Sequence, residues 1–148
     1  MKRFNPTSTH PRRAAQAWQI LVSAAMNRQT TTYRGLSVLM YGRPAQGVLD
    51  RILGHIASFC LDNDLPVLTC IVVNQITGRP GAGIPLSRKR QNSERERVFA
   101  ENWYDIQPPT AKQLRAVQSA RLYILRPRLT ATRRMTTRLR PLNLMASP

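Results

Sequence analysis

The 148-residue chain has room for one domain of ordinary size and little for a second, and its 42% hydrophobic content supports a core. Twenty-three Lys and Arg stand against seven Asp and Glu, a formal net charge of +16 carried mostly by Arg. That balance points to a polyanionic partner, nucleic acid above all, and the lack of an apolar run long enough to span a bilayer points away from a membrane protein.

Residues 1–9 are polar, contain Pro6 and are expected to be flexible. Thr9 can cap a helix whose first turn tolerates Pro11. Ala14, Trp18, Leu21, Val22 and Ala25 recur at helical spacing and predict an amphipathic helix over 11–27. Arg12 and Arg13 are expected exposed at its start, where they oppose the helix dipole. Beyond a loop at 27–29, the β-branched and aromatic run Thr30-Thr31-Thr32-Tyr33 predicts a short extended segment. Leu36, Leu39 and Met40 then predict a short helix over 34–41, stopped by Gly42-Arg43-Pro44.

Val48, Leu49, Ile52, Leu53, Ile56, Phe59 and Cys60 follow the i, i+3/i+4 rule and predict a helix over 44–62, with Gln46, Asp50, Arg51, His55 and Ser58 on its other faces. Leu65 to Ile76, bracketed by Pro66 and Gly78 and rich in Val and Ile, reads as a buried strand. Gly78, Pro80, Gly81 and Gly83 make a tight turn, and residues 87–92 a basic loop. Ser93-Glu94-Arg95-Glu96 fits a capping box that opens a short helix to about 104, with Val98, Phe99 and Trp103 inward. Pro108-Pro109 breaks it, and Thr110 caps a further helix to about 123. Beyond Arg126 the chain has no sustained period and is expected to be disordered or to fold on binding.

Few residues suggest chemistry. Cys60 and Cys70 form no C-x-x-C pair and lie in apolar stretches, as buried thiols of a reducing, cytoplasmic protein would. His10 and His55 lack neighbours at ligand spacing, so no metal or other cofactor is expected. Asp62-x-Asp64 reads as a helix-end turn rather than a magnesium site. The glycines of 78–83 do not open a helix, which excludes a dinucleotide or Walker phosphate loop. Trp103-Tyr104 reads as packing, with a stacking platform for single strands as the alternative.

Over roughly residues 32–83 the chain resembles the DNA-binding domain of O6-alkylguanine-DNA alkyltransferases and alkyltransferase-like proteins. The resemblance rests on Thr32-Tyr33 before a short helix, Gly42-Arg43-Pro44 before a longer one, Cys70 in an apolar segment, and Gly81-Ala82-Gly83 after it. It implies a winged helix-turn-helix that places its second helix in a DNA groove. The family's reactive cysteine lies between proline and histidine. Cys70 lies between Thr69 and Ile71, which offer no base to activate a thiol.

The sequence therefore predicts an α+β fold, a small winged helix-turn-helix domain over 9–106, with a basic, partly disordered extension over 107–148. The expected function is non-catalytic binding of double-stranded DNA as a regulatory or accessory factor. An alkyltransferase-like lesion-binding protein and an RNA-binding or ribosome-associated protein are the alternatives. Gln46 and Arg51 would face base edges, Arg34 and Arg43 would grip phosphates with Arg28, and Arg79 would lie on the wing before Arg88, Lys89 and Arg90. Tyr33 reads either as a nucleic-acid contact or as a packing residue.

Overall fold

The computed structural model describes residues 1–117 apart from 82, 83 and 85. The chain is mostly helical, with one small two-stranded sheet. Helix α1 (His10–Met26) buries Ala14, Ala17, Trp18, Leu21, Val22 and Ala25 and packs most extensively on α3 (Leu49–Asp62). Trp18 stands edge-on to Phe59 of α3 and to Trp103, with ring centroids 5.6 and 5.7 Å away. The Trp103 indole N–H donates to the Val98 carbonyl at 2.7 Å, so this buried ring leaves no polar atom unpaired.

Between these helices run β1 (Thr31–Thr32) and α2 (Tyr33–Tyr41). The Thr32 hydroxyl accepts the Gly35 amide at 2.9 Å and caps α2. Gly42 ends the helix in the left-handed conformation, φ 68°, and returns its N–H to the Val38 carbonyl at 2.8 Å. The helix read as starting at Pro44 begins later: Gln46–Val48 is one 3₁₀ turn, and α3 follows from Leu49.

The segment read as a strand from Leu65 to Ile76 is buried over 66–73, yet only Val72–Val73 forms a strand, β2. Leu68–Ile71, including Cys70, is a 3₁₀ turn. A run that is apolar on every side carries no period, so its composition did not separate a strand from a tight helical turn. β2 pairs in parallel with β1 in the register Thr31 to Val72 and Thr32 to Val73.

Residues 87–92 are not a loop. They open helix α4 (Arg88–Ala100), whose N-cap position is Ser87. Its first turns hold no apolar residue, so no hydrophobic period marked its start. Ser93, read as a cap, lies inside the helix and donates to the Arg90 carbonyl at 3.0 Å. Its neighbour Glu94 is buried, accepting the Val67 amide at 2.7 Å and pairing with Arg97 at 2.8 Å. A one-turn 3₁₀ helix, Trp103–Asp105, follows.

Thr110 does cap a helix, visible over 111–117; the rest of the stretch expected to be helical, 118–123, lies outside the described residues, as does the tail beyond. Thr110 and Gln113 exchange backbone-to-side-chain bonds of 2.9 and 3.2 Å, the reciprocal pattern of a capping box. Leu114, within the stretch read as an extension, is completely buried in the main core. Its carbonyl lies 3.0 Å from Nδ1 of His55. His55 and Ser58 are therefore not on open faces of α3 but buried, His55 beneath this last helix.

Candidate nucleic-acid interface

Tyr33 joins two elements. It opens α2, and its hydroxyl accepts the Gly81 amide at 2.9 Å. Desolvation raises its pKa, the Gly81 N–H opposes that rise, and the charge of Asp50 in the first turn of α3 adds to it. A Cβ on Gly81 would collide with the hydroxyl, so only glycine allows this approach.

Gly81 follows a compact hairpin. Val73 and Pro80 bridge in antiparallel sense, and the Asn74 amide donates to the Arg79 carbonyl at 2.8 Å. The Asn74 side-chain oxygen accepts the amides of Ile76 at 2.8 Å and Thr77 at 3.2 Å, which fixes the tip. Ile76, 94% exposed, stands at that tip. Arg95 of α4 donates to the Gly78 carbonyl at 3.3 Å and joins the hairpin to α4.

The basic residues singled out from the sequence fall into two groups. Arg34 is exposed on the first turn of α2, Arg43 on the turn after it, and Arg51 on the first turn of α3; the backbone of Gln46 starts the 3₁₀ turn between. Arg79 and Arg88 line one cavity of about 570 Å³ between the hairpin and α4. Exposed Lys89 and Arg90 continue along the first turn of α4.

Two other arginines differ from expectation. Arg28 pairs with Glu96 at 3.0 Å and lies over the Phe99 ring at 5.2 Å, so it ties the 27–30 loop to α4. Arg13, expected exposed, is only 5% exposed. It donates to Gln16 at 2.8 Å, to the Met40 carbonyl at 3.1 Å and to the Asn5 carbonyl at 2.9 Å, and stacks over Tyr41 at 4.3 Å. The cation meets the carbonyl end of α2, where the helix dipole favours it. Sequence order hid this, because Phe4, Met40 and Tyr41 come together only in the fold.

The thiols are shielded. Burial pushes Cys70 up to about 12, reinforced by the Glu94 carboxylate and opposed by Arg95. Burial pushes Cys60 to about 12 as well. No group of three metal-ligating side chains occurs among the described residues, and no helix among them is long and apolar enough to cross a membrane. The chain matches no protein-family model, no curated protein and no solved structure.

Proposed function

We propose that this protein is a non-catalytic binder of double-stranded DNA, with α2 and α3 as a helix-turn-helix and the Val73–Pro80 hairpin as its wing. The reading is carried by the convergence at Tyr33. One side chain joins the first turn of α2, the helix that leads through a single turn into α3, to the residue that closes the hairpin. A winged helix uses these same parts, docking the second helix in the major groove and the wing on the flanking backbone. Arg51 then faces base edges, with Gln46 in the 3₁₀ turn before it as the second candidate reader, while Arg34, Arg43 and Arg79 hold phosphates and Arg88, Lys89 and Arg90 extend the cationic strip. The buried, strongly protonated Cys70 thiol supports binding without alkyl transfer.

Titration of a duplex, a single strand and a structured RNA over a salt series tests the reading. The duplex is expected to bind tightest, with affinity falling steeply as salt rises. Tighter binding of the RNA at matched salt transfers the function to RNA.

A further inference from the structure

We propose that the groove formed by the first nine residues, the start of α1 and the α2–α3 turn is a phosphate-binding site. Lys2, Arg3 and Arg43 supply its donors, and Arg13 supplies its fixed frame. The groove encloses about 720 Å³, and its lining includes Lys2, Arg3, His10, Arg13 and Arg43 but no Asp or Glu. A single phosphate group fills only a small part of that volume. The space suits a sugar–phosphate run or a polyphosphate.

The first residues are held in place. The Asn5 side-chain oxygen accepts the Thr7 amide at 3.1 Å and the Thr7 hydroxyl at 2.8 Å. The Asn5 carbonyl accepts from Arg13, which also bonds the Met40 carbonyl, so one guanidinium fastens both walls of the groove. Phe4, between Arg3 and Asn5, lies 5.8 Å from that guanidinium. Lys2 and Arg3 adjoin this tethered segment, and both line the groove together with Arg43, all three exposed.

Arg13 adds a charge to the lining of the groove. It is buried and has no carboxylate partner among the described residues; carbonyl and amide oxygens and the rings of Tyr41 and Phe4 face its charge. Buried cations favour a compensating anion nearby. Arginine and lysine together suit phosphate, the one through its planar fork and the other as a point charge. The phosphate comes either from a duplex backbone or from a small polyphosphate. Only the first source rests on the function proposed above.

The test uses the full chain and three single variants, Arg3→Ala, Arg43→Ala and Lys112→Ala. Lys112 is exposed and does not line the groove, so its variant reports the loss of a charge outside it. Duplex affinity is measured over a salt series, and inorganic pyrophosphate binding by calorimetry. If the groove holds backbone phosphates, Arg3→Ala and Arg43→Ala each flatten the slope of log affinity against log salt by about 0.9, and Lys112→Ala does not. If it holds a small polyphosphate, the same two variants bind pyrophosphate about tenfold more weakly, with Lys112→Ala unchanged. Equal effects of all three variants in both arms overturn the site. A wild-type chain that ignores duplex yet binds pyrophosphate through Arg3 and Arg43 removes the DNA reading and leaves the site standing.

Discussion

The Tyr33 hydroxyl accepts the Gly81 amide at 2.9 Å, and no side chain larger than hydrogen fits at Gly81 beneath it. The two residues are coupled through both a hydrogen bond and a steric limit. Tyr33→Phe is expected to cost about 1 kcal/mol, the worth of one hydrogen bond with its donor left unpaired. Gly81→Ala should cost more, because the hydroxyl must move. The double variant should be less destabilised than the sum of the two, since removing the hydroxyl relieves the clash. Denaturant unfolding of all four proteins measures this; additive effects would show that the pair is not coupled.

Cys70 should be nearly inert in the native state. With its pKa pushed up to about 12, the reactive thiolate is roughly one part in ten thousand at pH 8. Thiol reagents should therefore modify it only at the rate of local opening, and Cys70→Ala should leave duplex binding unchanged. Rapid stoichiometric transfer from an O6-benzylguanine substrate to Cys70 would contradict the non-catalytic assignment.

His55 makes the contact with the last helix sensitive to acid. A carbonyl only accepts, so its Nδ1 carries the hydrogen shared with Leu114. Burial lowers its pKa below 6.5, the Leu114 carbonyl opposes this, and the charges of His10 and Arg115 add to the lowering. Between that lowered value and 6.5 the unfolded chain binds the proton and the folded chain does not, so stability rises with pH across the window. The contribution is complete above 6.5 and is lost as pH falls through the folded value. Thermal unfolding from pH 7.5 to 4.5 should show this slope in the wild type and a shallower one in His55→Gln.

Arg51 and Arg43 should differ in kind. Arg51 is exposed between Asp50 and the buried Ile52 in the first turn of α3, and in the proposed docking it reads a base. Arg51→Ala is expected to cost about 1–3 kcal/mol on a preferred site and less on random duplex. Arg43→Ala should weaken both alike. Equal effects of the two variants on every duplex would make the protein blind to sequence.

The amphipathic helices were legible because their apolar residues repeat. Trp18, Leu21 and Val22 in α1 and Ile52, Leu53 and Ile56 in α3 announce their buried faces in the sequence itself. The start of α4 was not legible, because Arg88 to Gln91 offers no apolar residue to time a turn. Its burial depends instead on Glu94, a carboxylate that satisfies a backbone amide 27 residues away. The exposed cations Arg34, Arg43, Arg51 and Arg79 follow from charge and element order, whereas the part Lys2 and Arg3 take in a groove requires Arg13 to reach Asn5 and Met40. Pattern finds faces; only the fold finds which distant residues meet.

The parallel pairing of β1 and β2 sets an order of events. Two residues of ladder close a loop of roughly forty residues, so the entropy of closure is large beside the few bonds gained. The ladder is therefore expected to form only after α1 and α3 have packed and brought its ends together, and to open before they part. Amide exchange at Val72 and Val73 should accordingly be faster than in the centres of α1 and α3, even though both valines are buried. The hairpin that follows Val73 is expected to share this looseness at its root, while the Asn74 bonds to Ile76 and Thr77 hold its tip.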